Sequence, residues 1–255
     1  MKYIHVYYEI FSLFYLIINH YYCNNKTNSM NASNIKQQAL QRGAHVCGIG
    51  SIDRYTDAPQ GFSPLGLFPQ AQSVITFGMQ IPKSTLSLPS FIPYTVTDSV
   101  VLSGTHRIGY ELSLYIESKG FQAVMVPSEP YHYWDAPRMT GKGIVSLKHL
   151  AQRSGLGVIG RNQLLCNPSL GNLIKIGAVL TDAILEADAL LTKSACPENC
   201  RLCISSCPSG ALSETGVNQL KCRQQAEQHT TKGDDYYACN TCRKVCPNVS
   251  GFAFA

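Results

Sequence analysis

Eight cysteines lie close together near the end of this 255-residue chain, at spacings that metal ligands use. The first run, from Cys196 to Pro208, reads C-x3-C-x2-C-x3-C-P. The second has Cys222, then sixteen further residues, then C-x2-C-x3-C-P from Cys239 to Pro247. Because this crowding at one end is unlike a disulfide framework, we predict a reduced metal site in a cytoplasmic protein.

These two runs are similar to the cysteine pattern of bacterial ferredoxins, C-x2-C-x2-C-x3-C-P, whose fourth cysteine binds the other cluster. Three thiolates on one loop hold three corners of an iron–sulfur cube. The proline after the last cysteine lacks an N–H and turns the chain away. The crossed pattern therefore predicts two four-iron, four-sulfur clusters. Their ligands would be Cys196, Cys200, Cys203 and Cys246 for the first, and Cys207, Cys222, Cys239 and Cys242 for the second.

Two spacings depart from the ferredoxin pattern. The first gap has three residues instead of two, and Cys222 is far from Cys239. Both changes lengthen a loop without removing a ligand. A pair of zinc sites is the alternative, since C-x2-C occurs in zinc sites too, but zinc does not explain the x3-C-P ending of both runs. Three further cysteines stand alone and are expected to be ordinary thiols: Cys23, Cys47 and Cys166.

The charge distribution is more informative than the net charge of +5. Two clusters at about −2 each would bring the loaded protein to about +1, so the total does not indicate nucleic-acid binding. Between Asp135 and Asp182 there is no acidic residue. This stretch either attracts an anionic ligand or forms a solvated basic face. Its bases are Arg138, Lys142, Lys148, Arg153, Arg161 and Lys175.

Helical and strand-like patterns alternate upstream of the cysteines. Helices are predicted over 33–42, 106–119 and 147–154, and strands over 44–50, 73–79, 121–126 and 173–181. Residues 81–93, which contain several prolines, are predicted to be a long loop. We therefore predict a layered α/β domain over 30–190, followed by a small ferredoxin-like domain with two clusters over 191–255.

The N-terminal residues 1–29 are predicted to lie outside the α/β domain. Their uncharged run, Ile10 to Cys23, is shorter than the roughly 20 residues that cross a bilayer. A basic start and a small-residue cleavage site are lacking, so a signal peptide is not indicated. We expect no stable membrane association. Two alternatives are left open for this segment: translation starts at Met30, or residues 1–29 are disordered.

A glycine-rich segment, Gly155 to Gly160, matches the dinucleotide-binding pattern G-x-G-x-x-G, with Asp182 22 residues after its last glycine. That mechanism needs a strand before the first glycine and a helix after it. Here a helix precedes it, so a nicotinamide site is not predicted. The glycines are expected to end this helix and to let the backbone approach something large.

Several motifs together resemble the epoxyqueuosine reductase family. They are SLKHLAQRSGLGVIGRNQLLCNPSLGNLIKIGAVLTDA over 146–183, then CRLCISSCPSGAL and CNTCRKVCPN, and, earlier, GIGSIDRYTDAP and GLFPQAQSVITFG within 48–78. The resemblance implies a cobalamin-binding α/β domain joined to two clusters, similar in layout to reductive dehalogenases. Electrons from a donor such as ferredoxin or flavodoxin would pass through the clusters to the corrinoid. The corrinoid would reduce an epoxide on a tRNA base, or a similar organic group.

The same resemblance implies site residues. Asp135, in Trp-Asp-Ala-Pro, would be the proton donor, although a turn residue before Pro137 is the alternative. The chain ends nine residues after Cys246, so the helical extension that contacts tRNA in many members is expected to be missing. Two rival functions remain, an electron-transfer module and a corrinoid-activating protein. The residues implied to lie against the corrinoid are Gly155, Leu156, Gly157, Ile159, Gly160 and Asn162.

Overall fold

The computed structural model describes residues 30–59, 61–129, 131–137 and 140–253. The prediction for 1–29 lies outside these residues. The α-helices are α1 (Ala32–Gln41), α2 (Pro64–Leu67), α3 (Ile92–Glu117), α4 (Leu147–Arg153), α5 (Leu202–Ser205), α6 (Gln219–Ala226) and α7 (Thr241–Lys244). The strands are β1 (Val46–Ser51), β2 (Ser73–Gln80), β3 (Ala123–Val126), β4 (Tyr133–Asp135), β5 (Thr140–Lys142), β6 (Val158–Ile159), β7 (Leu165–Cys166), β8 (Ile174–Thr181), β9 (Leu212–Ser213), β10 (Gly216–Val217), β11 (Glu227–His229) and β12 (Asp235–Tyr237). Two 3₁₀ helices span Ile52–Tyr55 and Lys83–Ser87.

Four strands form the central sheet in the order β1-β2-β8-β3, with every neighbouring pair antiparallel. The register places Thr181 of β8 between Ser73 of β2 and Ala123 of β3. These are the four strands that the apolar runs predict, within about two residues at each end. The mixed α/β class predicted from the sequence is thereby confirmed.

Both faces of the sheet are covered, because successive side chains of a strand point to opposite faces. Ile75 and Val179 pack with residues of α1 and α3 on one face. Their neighbours Val74 and Leu180 pack with Leu150 of α4 on the other. This double burial explains why β2 and β8 are apolar runs rather than alternating ones.

Two predicted helix starts were wrong. Helix α1 begins one residue before Ser33, because the side chain of Asn31 caps it by accepting from the Ser33 N–H at 2.8 Å. Helix α3 begins at Ile92 instead of near 106, with a proline in its first turn. Proline is tolerated there because the first helical N–H groups have no intrahelical partner. Only the last two residues of the predicted loop, 92 and 93, are helical, and residues 94–105, for which no element was predicted, form the rest of the added helix.

The cysteine-bearing end of the chain consists of short elements that pack on the α/β core. Tyr237 of β12 donates its backbone N–H to Thr95 Oγ1 of α3 at 2.9 Å. The hairpin β4–β5 contacts α6, since Gly141 N–H donates to Gln219 at 3.0 Å. Across the described residues, no helix is both long and apolar enough to span a membrane.

A glycine substitution tests how closely the two parts pack. Gly171 has φ +59°, and a Cβ there would lie 2.2 Å from the carbonyl oxygen of Asn248. Gly210 has nearly the same φ, +60°, with nothing within 4 Å. Gly210→Ala should cost about 1 kcal/mol through backbone strain alone. Gly171→Ala should cost about 1–3 kcal/mol more through overlap with backbone. Urea unfolding of both variants measures the difference, and equal midpoints would contradict the close contact.

Candidate functional site

The first predicted ligand set converges on one narrow pocket, called here the first cysteine pocket. Cys196 and Cys200 precede α5, Cys203 lies within it, and Cys246 follows α7. All four line the pocket. The structure therefore brings the last cysteine of the second run to the first three of the first run, as the crossed pattern predicts.

The second set lines one side of a much larger space, called here the large cavity, of about 800 Å³. Cys207 follows α5, Cys222 lies on α6, Cys239 precedes α7 and Cys242 lies within it. The sixteen residues between Cys222 and Cys239 form the rest of α6 and the hairpin β11–β12. The insertion therefore leaves the four cysteines on one cavity wall.

The thiols within each set influence one another's ionisation. Burial raises the pKa of Cys203, and the nearby Cys196, Cys246 and Cys200 raise it further. In the second set, burial raises the pKa of Cys222 most, and the charges of Cys239 and Cys207 raise it further. Thiolates so close together are stable only with a compensating positive charge, which a bound metal supplies.

Cys242 and Cys207 show opposite shifts. Burial raises the pKa of Cys242 to about 11, although Arg243 opposes the shift. Burial also acts to raise the pKa of Cys207, but hydrogen bonds from Leu212, Ser209 and Ala211 outweigh it, and that pKa is lowered. The second set therefore already contains one thiol that its surroundings favour as a thiolate.

All eight ligands predicted for the clusters are thiols, the donors that iron–sulfur clusters use. Within the described residues, no group of three or more His, Cys, Asp or Glu side chains is placed to hold one metal ion. The four thiolates of a cube bind four different irons, so they lie farther apart than four ligands of one zinc, each at about 2.3 Å. In addition, the Arg161 N–H donates to Cys196 Sγ at 3.3 Å, as N–H groups do to cluster sulfurs.

Cys166, predicted to be an ordinary thiol apart from the two cysteine runs, lies beside the first cysteine pocket. It lies at the end of β7, is 1% exposed, and lines the first cysteine pocket with the four predicted ligands. Its sequence context gave no signal, because it is thirty residues before Cys196 and belongs to neither cysteine run. Only the fold of the chain brings it to the pocket.

The wall of the large cavity opposite the cysteines belongs to the α/β core. It mixes aromatic and aliphatic side chains with a few polar groups, as ligand sites do. Ser128 is 5% exposed, and its hydroxyl has no hydrogen-bond partner in the described structure. An ordered water or a bound ligand would supply the missing partner. Other lining residues include Tyr55, Phe62, Tyr94, Lys148, Leu165 and Ile176.

Asn162 is the member of the implied corrinoid set that lines the large cavity, and it also lines the first cysteine pocket. Its amide nitrogen donates to the Cys242 carbonyl at 3.4 Å, and its amide oxygen accepts from the Leu164 N–H at 3.1 Å. Asn162 therefore lies between the two cysteine sets and contacts both sides.

The other five residues of that set lie against protein. Gly155, with φ +74°, follows α4, and a Cβ there would lie 2.4 Å from the Ala189 carbonyl oxygen. A Cβ on Gly157 would lie 2.6 Å from the Cys166 carbonyl oxygen. The glycines thus end a helix, as predicted, and the backbone they admit is the chain's own. Leu156 is a core residue, Ile159 pairs with Leu165, and Gly160 faces the sulfurs of Cys166 and Cys196. Their contact with a corrinoid stays a prediction.

Asp135 lies on β4, with its carboxylate 3.4 Å from Lys142 Nζ, and is not among the residues that line the large cavity. Four acidic residues that the sequence did not single out do line it: Asp57, Asp98, Glu129 and Glu227. Asp98 is on the part of α3, residues 94–105, for which no element was predicted, which explains why it was missed. The role of Asp135 stays a prediction.

Most of the basic stretch is ion-paired rather than a free basic face. Arg153 binds Asp57 through both guanidinium nitrogens. Lys175 binds both carboxylate oxygens of Asp98, at 2.8 and 2.7 Å. Arg161 lies 3.8 Å from a carboxylate oxygen of Glu214 and donates to two backbone carbonyls beside the first cysteine pocket. Arg138 lies outside the described residues.

Lys148 differs from these bases. It lines the large cavity and donates to the Gln163 carbonyl at 3.2 Å. Burial lowers the pKa of Lys148. Burial also lowers the pKa of the adjacent His149, and the charges of Lys148 and Arg153 lower it further. A half-buried cation on a cavity wall favours an anionic ligand.

Two curated relatives carry the same name. An epoxyqueuosine reductase of Staphylococcus aureus is 36% identical over 125 residues, which are 44% of this chain and 32% of that protein. One of Bacillus cereus is 24% identical over 208 residues, which are 78% of this chain and 53% of that protein. The resemblance predicted from the motifs is confirmed. The chain spans about a third to a half of the length of these relatives. No family model matches it.

Two solved structures align with most of this chain. An epoxyqueuosine reductase with an epoxyqueuosine-modified tRNA stem loop aligns with TM-score 0.60 and 18% identity, over 88% of this chain and 66% of that one. A reductive dehalogenase, described for B12-dependent dehalogenation, aligns with TM-score 0.63 and 19% identity, over 84% of this chain and 31% of that one. At these identities the likeness concerns the fold.

Proposed function

We propose that this chain is an iron–sulfur oxidoreductase similar to epoxyqueuosine reductase, in which two four-iron clusters pass electrons to a corrinoid that reduces an epoxide or similar organic group. One observation carries the proposal: the second cysteine set and residues of the α/β core line the same large cavity. A ligand in this cavity would lie between an electron relay and the core. We assign residues 30–190 to a cobalamin-binding-type domain and 191–255 to a ferredoxin-like domain.

The residues that would hold the cofactors are those described above. The two cysteine sets would bind the clusters, and the walls of the large cavity, with Asn162, Lys148 and the unpartnered Ser128 hydroxyl, would bind the corrinoid. When bound, the clusters supply one-electron transfer and the corrinoid supplies a strongly reducing cobalt centre. The volume of about 800 Å³ is at the upper end of ordinary ligand pockets, which favours a large ligand.

The chain itself would orient the cofactors and handle protons. The side chain of Asn162 donates a hydrogen bond to the Cys242 carbonyl. This contact would hold the segment after the glycines in place between the two cysteine sets. Asp135, which does not line the large cavity, is proposed as proton donor on the resemblance, and Asp98 is an alternative acidic group that does line it. Comparing Asp135→Asn with Asp98→Asn in single-turnover assays would assign the proton transfer.

The proposed substrate is epoxyqueuosine in tRNA, because the curated relatives carry that reductase name and a structural neighbour was solved with the modified stem loop. A ferredoxin or flavodoxin is the proposed electron donor. An electron-transfer module and a corrinoid-activating protein remain the alternatives, and the large cavity favours a protein that holds a ligand of its own.

Cobalamin binding is the experiment that separates these functions. The protein is purified without oxygen, mixed with cobalamin, and examined by visible spectroscopy and gel filtration. We expect a shift in the cobalt bands and co-elution. If the cobalt bands do not shift and cobalamin does not co-elute, only the electron-transfer module remains as a function. Turnover of epoxyqueuosine tRNA with a chemical reductant would then distinguish the enzyme from a corrinoid-activating protein.

Lys148→Gln should weaken cobalamin binding about tenfold, which is about 1.4 kcal/mol. The physical reason is that the cavity wall loses a half-buried cation that would face the phosphate of the ligand. The matched control is Lys83→Gln, which removes an exposed lysine on a 3₁₀ helix. Spectroscopic titration measures both. Equal affinity of the two variants would remove Lys148 from the proposed site.

A further inference from the structure

The first cysteine pocket contains five cysteines, although a four-iron cube needs four thiolates. The fifth, Cys166, comes from the α/β core, whereas the other four come from the cysteine-bearing end of the chain. Its side chain is 1% exposed and its Sγ is 3.9 Å from the Leu164 carbonyl oxygen, a weak contact for a thiol. Nothing in this contact ties the sulfur firmly to its present position.

Cys166 lies beside one particular ligand, Cys196. A Cβ placed on Gly160 would lie 3.2 Å from Cys166 Sγ and 3.6 Å from Cys196 Sγ. Both sulfurs therefore border the same small space, which stays open because residue 160 has no side chain. The two sulfurs lie within about 7 Å of each other.

The sequence marks the same corner independently. Cys196 is the ligand at the one gap within the first run that departs from the ferredoxin pattern, since three residues separate it from Cys200 instead of two. If any corner of the first cluster changes its ligand, the structure and the spacing both indicate this one.

We propose that Cys166 is an exchange ligand of the first cluster and replaces Cys196 when that thiolate leaves. This inference rests on the proposed function, because it requires the cluster. In the exchange, the iron–sulfur bond to Cys196 breaks and a bond to Cys166 Sγ forms. Cys166 loses its proton to solvent, Cys196 takes up a proton, and no iron changes its oxidation state. The cluster keeps four thiolate ligands throughout.

Three variants test the exchange in the full-length, iron-loaded protein. They are Cys196→Ala, Cys196→Ala with Cys166→Ala, and Cys196→Ala with Cys47→Ala as the matched control. Cys47 is another free thiol, but it lies on β1 and packs against the core, away from the pocket. Iron per chain and the electron paramagnetic resonance spectrum of the reduced protein are measured for each.

We expect Cys196→Ala and the Cys47 control to keep about eight irons and two four-iron signals. The variant that lacks both Cys196 and Cys166 should lose about four irons or show a three-iron signal. The proposal is overturned if Cys196→Ala alone already behaves like the variant that lacks both. Wild-type protein without iron would instead overturn the proposed function, so the two failures are distinguishable.

If Cys196→Ala does not fold, the single variant Cys166→Ala decides. When Cys196 transiently releases its iron, Cys166 binds that iron in its place. Without Cys166 the same iron is exposed to a chelator. Cys166→Ala should therefore release iron to a chelator several-fold faster than the wild type, while Cys47→Ala releases it at the wild-type rate. Equal rates for all three proteins would refute the exchange.

Discussion

Cys203→Ala is expected to remove about half of the iron and to destabilise the cysteine-bearing end of the chain. Cys203 lies on α5, is 8% exposed, and lines the first cysteine pocket with Cys196, Cys200 and Cys246. Without its thiolate, one iron of the first cube has no protein ligand. The short elements around it have little apolar core of their own, so their folding depends on the metal.

The effect is measured as iron per chain and as the urea midpoint of anaerobically purified protein. About four of about eight irons should be lost. Ser205→Ala on the same helix is the matched control and should keep its iron, since its hydroxyl contacts only backbone carbonyls. Cys246→Ala should resemble Cys203→Ala, although it belongs to the second run. Full iron content in Cys203→Ala would show that the ligand assignment is wrong.

Asp98→Ala is expected to destabilise the protein by about 3–5 kcal/mol, because it leaves a buried lysine without its partner. The side chains of Asp98 and Lys175 are 8% and 14% exposed, and both oxygens of the carboxylate contact Lys175 Nζ. Burial lowers the pKa of Lys175, and the charge of Asp98 opposes this shift. Removing Asp98 should therefore lower that pKa further.

The pH dependence follows from the sign of this shift. When the pKa of a lysine is lower in the folded state than in the unfolded state, the folded state binds fewer protons, and stability rises with pH between the two values. The loss of stability caused by Asp98→Ala should therefore become smaller as the pH is raised toward the pKa of a free lysine. Urea unfolding at several pH values under anaerobic conditions measures it.

Two comparisons make this prediction specific. Asp235→Ala removes a carboxylate that is 88% exposed and pairs with His229, so it should cost less than about 1 kcal/mol. Adding Lys175→Met to Asp98→Ala should restore part of the stability, because the uncompensated charge is then gone. A loss in Asp98→Ala no larger than in Asp235→Ala would contradict the buried pair.

The cysteine constellation and the sheet were predictable from sequence because both are repeated local patterns. Metal ligands must be close in space, so Cys200 and Cys203 are also close in sequence. The strand β8 is largely buried on both faces, so most of its residues are apolar, with Lys175 as the charged exception. Such signals need no knowledge of the rest of the fold.

Long-range contacts gave no such signal. Cys166 meets the first cysteine pocket only because β7 returns beside the loop before α5. Asp98 and Tyr94 reach the large cavity from the first turns of α3, which follow the predicted loop and were assigned no element. The glycines at 155 and 157 were expected to admit a large partner, and they admit the chain's own backbone. Each of these placements depends on tertiary packing, which overrides local preference.

The metal content of the wild-type protein tests the central claim most directly. After anaerobic purification, we expect a brown protein with about eight irons and eight sulfides per chain. Reduction with dithionite should produce the resonance signals of two four-iron clusters. A colourless protein that carries zinc and no sulfide would contradict the account, because eight thiolates would then hold no electron relay beside the large cavity.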